Sequence, residues 1–130
     1  MEFRLHHIAI QSRDLDKSLF FFQNILGFPV IKKEVSSKGR RIVWLKAGDG
    51  RLELYGGKPS QSLNSKWNEN GIGPLSLGFF VPNLDLAVLR LKEQNVVILK
   101  EPYEPVKGER AAMITGPDGE EIVLLEKEVG

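Results

Sequence analysis

Two adjacent histidines, His6 and His7, and a carboxylate set among leucines in Leu52-Glu53-Leu54-Tyr55 are the side chains here best suited to chemistry. Imidazole titrates near neutrality, so it can accept a proton, donate one or ligate a metal. A mid-strand acid between leucines is unwelcome unless its face is hydrated or opens into a cavity. Both settings fit the local pattern. Arg51, Glu53 and Tyr55 could decorate a solvated face, or Glu53 could look into a site. A strand histidine is in turn often only a satisfied polar residue. The chain has no cysteine, which removes thiolate nucleophiles, disulfides and thiolate-held metals together. What remains is acid–base work by imidazole and carboxylate, or a cation held by nitrogen and oxygen.

These residues need elements to position them. Residues 3 to 11 alternate as a strand, with Phe3, Leu5, His7, Ala9 and Gln11 on one face and Arg4, His6, Ile8 and Ile10 on the other. Ser12 or Asp14 then offers an N-cap, and Asp14 and Asp16 suit a helix N-terminus. Leu15, Leu19, Phe22, Ile25 and Leu26 recur at helical spacing, and Gly27 ends the helix. Phe20, Phe21 and Phe22 cannot all face one way on a helix, so one or two of them are expected at a subunit contact. Strands follow at Phe28 to Val35 and Arg41 to Ala47, joined by a turn from Ser36 to Gly39. Gly48-Asp49-Gly50 then leads to a strand from Arg51 to Tyr55.

This β-α-β-β-β order occurs twice. Pro74 to Val81 runs into Pro82-Asn83-Leu84-Asp85, sixty-nine positions after the first copy. His7 falls on Ser76, Ala9 on Gly78, Leu15 on Leu84 and Asp16 on Asp85. The second copy continues with a helix capped by Asn83 and carrying Leu84, Val88, Leu91 and Leu89. A strand from Val96 to Leu99, a loop from Pro102 to Gly108, and strands from Ala111 to Thr115 and Glu121 to Leu125 follow, the last after Asp118-Gly119. Such repeats decide the fold. The reading is one α+β domain over residues 1–130, made of module one (1–57), a polar linker (58–72) and module two (73–127). Leu63 and Trp67 are expected to tie the linker down, and Lys127 to Gly130 reads as a free end.

Composition narrows the function classes. Apolar content of 42% and charged content of 27% suit a soluble globular chain. A net charge of +1 with scattered lysines offers no basic stripe for nucleic acid and no pull toward an anionic membrane. No leader or long apolar run is seen, so a cytoplasmic location is expected.

The strand–helix signature, the Leu26-Gly27-Phe28 helix exit, the Glu53-Leu54-Tyr55 strand and Gly116-Pro117-Asp118-Gly119 before the final strand resemble the vicinal oxygen chelate superfamily. This family includes glyoxalase I, methylmalonyl-CoA epimerase, extradiol dioxygenases and bleomycin-resistance proteins. The resemblance covers the whole chain and implies two β-α-β-β-β modules, with mixed sheets curled into a cup. In the metal-dependent members it implies a divalent cation (zinc, nickel, manganese or iron) in the cup, held by a histidine and an acid or amide from the first module and a histidine and a glutamate from the second. Module one keeps both, His7 and Glu53; module two has Ser76 and Val123 instead. Any metal at His7 and Glu53 is therefore expected to bind weakly. Glu121 shares Val123's face but lies two residues back, about 7 Å along a strand, and Glu126 points the other way.

Strand alternation adds Gln11, Tyr55, Phe80 and Leu125 to the lining, beside Ser76, Gly78 and Val123. His7 and Glu53 are the catalytic candidates. The resemblance implies a lyase or isomerase acting on a small oxygen-rich metabolite. The alternative is a metal-free protein that binds or sequesters a small molecule, as resistance proteins do. The resemblance also implies a homodimer, since members with two modules per chain commonly pair.

Overall fold

The computed structural model describes residues 1–57 and 74–126. The expected linker at 58–72, with Leu63 and Trp67, and the free end at 127–130 lie outside the described residues. The chain divides into two compact units, Met1–Asn64 and Ser65–Gly130. Each holds a four-stranded mixed sheet with little helix, the α+β arrangement expected.

In the first unit β1 (Ile8–Gln11) leads to α1 (Leu15–Leu19), which runs on into a π-helical stretch, Phe20–Ile25. Strands β2 (Val30–Val35), β3 (Arg41–Ala47) and β4 (Gly50–Tyr55) follow. The sheet order is β1-β4-β3-β2, with β1 parallel to β4 and the other pairs antiparallel. Asp14 caps α1, its carboxylate accepting from the Lys17 amide at 3.2 Å. Gly27, at φ +85°, ends the helical run in the left-handed region that a side chain disfavours.

The helix carries an unexpected feature. Leu26 N–H donates to the Phe21 carbonyl, five residues back, and the wider turn carries Phe21 and Phe22 inward together. They are 6% and 0% exposed, whereas Phe20 is 56% exposed. Only Phe20 is left for a surface role. The inward face of the sheet is Leu45, Leu52, Val43 and Leu54, all buried, with Phe22 and Leu15 beside them in the core.

The second unit repeats the plan: β5 (Leu77–Val81), α2 (Leu84–Glu93), β6 (Ile98–Tyr103), β7 (Ala111–Thr115) and β8 (Glu121–Glu126), in the order β5-β8-β7-β6. Asn83 caps α2, accepting from the Leu86 amide at 3.0 Å. Leu84, Val88 and Leu91 are buried with Ala112, Ile114, Ile122 and Leu124, while Leu89, expected on that face, is 53% exposed. The duplication also preserves an ion pair between the helix start and the third strand of each unit. Arg41 meets Asp16 at 3.1 Å, and Arg110 meets Asp85 at 2.9 Å.

Several strand limits differ from expectation, and β2 starts at Val30 rather than Phe28. β1 and β5 begin at Ile8 and Leu77, so residues 3–7 and 75–76 precede the ladders. β6 is displaced to Ile98–Tyr103 and contains Pro102, expected in a loop. It lies at the sheet edge with two register shifts, where a residue without an N–H breaks no ladder bond.

Candidate functional site

Residues paired across a ladder share a face. In the first unit this builds two rows across all four strands. Ala9, Glu53, Trp44 and Lys32 form one; Gln11, Tyr55, Ile42 and Glu34 form the next. Their face is opposite the leucine core, which is why a mid-strand acid is tolerated at Glu53.

His7, immediately before β1, brings its Nε2 to 3.5 Å from Glu53 Oε1. The Glu53 side chain is only 8% exposed and that of His7 36%. Trp44, the Cα partner of Glu53, walls the pair, its ring 5.0 Å from His7 and 5.7 Å from His6. The indole is itself fixed, since Trp44 Nε1 donates to Glu34 Oε1 at 2.8 Å while Lys32 Nζ holds Glu34 Oε2 at 2.9 Å. That indole hydrogen bond, followed by the Lys32 hydrogen bond, holds the Glu34 carboxyl below its ordinary value.

His6 departs from expectation. Strand alternation places it opposite His7, yet its Nδ1 lies 2.7 Å from His7 Nδ1 with the rings edge to face. Alternation has no hold there, because the ladder starts only at Ile8.

In the next row Tyr55 lies under the Arg40 guanidinium, 4.8 Å from the ring centroid. Arg40 Nε also donates to the Gly56 carbonyl at 3.0 Å, and its Nη2 donates to Gln11 Oε1. Gln11 Nε2 donates to the Gly57 carbonyl at 2.7 Å, so this side chain is occupied in holding the chain where it leaves β4. Burial raises the Tyr55 phenol pKa, and the charge and hydrogen bond of Glu53 raise it further; Arg40 pulls the other way. With two tyrosines in the chain, an alkaline ultraviolet titration is expected to show a late component that Tyr55→Phe removes. Its survival in that variant would refute the assignment.

The equivalent rows of the second unit are Gly78, Val123, Met113 and Lys100, then Phe80, Leu125, Ala111 and Tyr103. Gly78 pairs with Val123 as Ala9 pairs with Glu53, so Val123 stands at Glu53's place and Ser76 at that of His7. Phe80 is 72% exposed, and Lys100 Nζ lies 5.1 Å from the Tyr103 ring centroid. These rows contain no acid. The β7–β8 register is regular, with Glu121 opposite Thr115 and Val123 opposite Met113, so Glu121 stays two residues from Glu53's equivalent position.

Two ligands sharing one cation at about 2.0–2.1 Å and a tetrahedral angle lie about 3.3 Å apart. The His7–Glu53 separation of 3.5 Å matches that spacing. These two donors suit adjacent positions around a cation, but no group of three His, Cys, Asp or Glu side chains suited to a metal occurs among the described residues. The donor set is that of half a site.

A family model spanning residues 4–124 matches the chain, that of the Glyoxalase/Bleomycin resistance protein/Dioxygenase superfamily. The chain belongs to this superfamily. Methylmalonyl-CoA epimerase of Bos taurus mitochondria is 32% identical over 102 residues, covering 75% of this chain and 58% of the bovine protein. The chain thus spans little more than half the length of that relative. Among solved structures, SMU.1112c superimposes with a TM-score of 0.79 at 30% identity over 95% of this chain and 98% of that one. The trypanothione-dependent glyoxalase I of Leishmania major gives 0.73 at 27% identity, over 96% and 87%. As a superfamily member, the chain keeps the duplicated module but carries its paired imidazole and carboxylate in the first copy alone.

Sequence reading put Glu53 and Tyr55 on one strand face, opposite the leucine core, but did not place Trp44, Glu34 and Arg40 beside them. Trp44 and Glu34 were within reach, because hairpin parity from Glu53 through β3 to β2 puts both on that face. Nothing in the sequence marks Ile8 as the start of the ladder, before which His6 and His7 come together.

Proposed function

We propose that this chain is a glyoxalase-like isomerase or lyase that moves a proton on carbon next to a carbonyl in a small oxygen-rich metabolite. The observation that carries this reading is Glu53, almost fully buried, with an imidazole 3.5 Å from its carboxylate. Glu53 is the general base. His7 Nε2 faces its carboxylate, stabilises the charge at rest and orients it, while Trp44 excludes water from one side. Tyr55, hydrogen-bonded to the same carboxylate, is kept in its neutral, donating form. A divalent cation held weakly by His7 and Glu53 would polarise the substrate carbonyl as a Lewis acid. The relatives named above, an epimerase and a glyoxalase I, support this class of reaction.

The test is deuterium wash-in from solvent D2O into methylmalonyl-CoA and into a thiol hemithioacetal of methylglyoxal, with and without added zinc or nickel. Exchange into either above the protein-free rate is expected, and none into both would overturn the reading. The acid-free rows of the second unit favour the other reading, metal-free binding of an apolar or aromatic small molecule on the face of Phe80, Val123 and Leu125. Ligand binding unaffected by chelator, with no exchange, would promote it.

The incomplete donor set has its own test. Ser76→His with Val123→Glu rebuilds in the second unit the relation that His7 has to Glu53, since the two ladders are in matching register. Metal analysis is expected to find little zinc in the unaltered protein purified without chelator and clear uptake in the double variant. Stoichiometric metal in the unaltered protein would refute the half-site account.

We also propose a homodimer, with Phe20 at the contact. Sedimentation at micromolar concentration is expected to show twice the chain mass, reduced in Phe20→Ser. A monomeric parent chain would overturn this.

A further inference from the structure

We infer that His6 is a positioning residue for the His7–Glu53 pair, held in the less common Nδ1–H tautomer by the charge of Glu53 acting through His7. This rests on the proposed site at His7 and Glu53. The geometry is a chain of three groups. His6 Nδ1 lies 2.7 Å from His7 Nδ1, and His7 Nε2 lies 3.5 Å from Glu53 Oε1. Two facing imidazole nitrogens at that distance form a hydrogen bond only if one carries a proton and the other a lone pair.

That condition leaves two arrangements of the neutral imidazoles. With the proton on His7 Nδ1, His7 presents a bare Nε2 lone pair to a carboxylate, an acceptor facing an acceptor. With the proton on His6 Nδ1, His7 carries Nε2–H, and that hydrogen points toward Glu53. The buried carboxylate selects the second arrangement. His6 must then donate from Nδ1. The edge-to-face contacts of both imidazoles with Trp44, and the anchoring of Trp44 on Glu34, oppose rotation of the rings away from these two contacts.

This arrangement bears on the chemistry. Loss of the His7 Nε2 proton to solvent, transfer of the His6 Nδ1 proton across the 2.7 Å gap to His7 Nδ1, and uptake of a solvent proton at His6 Nε2 together turn His7 Nε2 from a donor to Glu53 into a free lone pair, with both rings neutral and no ring flip. His6 therefore lets His7 serve either as a hydrogen-bond donor to the base or as a nitrogen ligand. A single histidine at position 7 could do so only by exchanging its Nδ1 proton with solvent.

The two histidines are the only ones in the chain, so long-range 15N–1H correlation spectra of the full protein contain just two imidazoles, and His6→Phe assigns them. At a pH where both rings are neutral, His6 is expected as the Nδ1–H form and His7 as the Nε2–H form. Glu53→Gln, which removes the charge and can donate an amide N–H to His7, is expected to return His6 to the Nε2–H form. His6→Gln, which can also donate to His7 Nδ1, should keep the His7 resonances near their wild-type positions, whereas His6→Phe should shift them. An Nε2–H His6 in the unaltered protein overturns the proposal without recourse to any variant, as does an Nδ1–H His6 that Glu53→Gln leaves unchanged. These spectra need no substrate, so they test the tautomer of His6 independently of whether deuterium wash-in is observed.

Discussion

Glu53→Gln is expected to lower deuterium wash-in by about 10²–10⁴-fold, the usual contribution of a positioned general base, with the thermal transition little changed. Glutamine has nearly the shape of glutamate and can still bond to Tyr55 and His7, so packing on the β4 face is kept. The loss is specific to basicity, because an amide does not accept a proton at neutral pH. Glu34→Gln separates this effect from general charge removal. The Glu34 carboxylate is engaged by the Trp44 indole and by Lys32, and Trp44 stands between it and the His7–Glu53 pair. Its replacement should loosen Trp44 and cost less than the loss of Glu53. Wild-type exchange in Glu53→Gln would remove Glu53 as the base, and the metal-free binding reading would then take its place.

The architecture was legible because the signals that encode it are short-ranged and duplicated. Asp14 and Asn83, each with a side-chain cap, stand sixty-nine positions apart, and the pairs Asp16–Arg41 and Asp85–Arg110 keep the same offset. The candidate face was legible in part, since period-two alternation puts Glu53 and Tyr55 together once β4 is recognised. Alternation fails where the ladder stops. Residues before Ile8 owe no alternation to a partner strand, and His6 consequently shares the side of His7 rather than opposing it. Pro102 misled for a related reason, since a residue that cannot donate is a poor strand former in a sheet interior yet acceptable at the edge that β6 occupies. The relation of imidazole to carboxylate at 3.5 Å depends on a parallel pairing between strands more than forty residues apart. Only the resemblance to a family carried that information in the sequence.

Phe22→Ala is expected to cost about 3–5 kcal/mol, the range for deleting a buried aromatic ring, and to lower the thermal midpoint accordingly. Phe22 is wholly buried; its ring meets Phe21 edge to face at 5.1 Å and stacks near Phe28 at 6.5 Å. Its carbonyl accepts from the Phe28 amide at 3.0 Å, tying the ring to the helix exit at Gly27. The π-helical turn makes the prediction differ along the triplet. A regular α-helix spaces neighbours by about 100°, so three consecutive phenylalanines spread over more than half its circumference. The wider turn brings Phe21 inward with Phe22 and leaves Phe20 outside. Phe21→Ala should therefore be costly as well, while Phe20→Ala should stay within about 0.5 kcal/mol, as exposed substitutions usually do. Denaturant unfolding of the three variants measures the pattern, best at a concentration where any dimer is fully dissociated. Equal losses at Phe20 and Phe21 would mean that the turn is an ordinary α-helical one, and that the triplet divides its faces differently between core and surface.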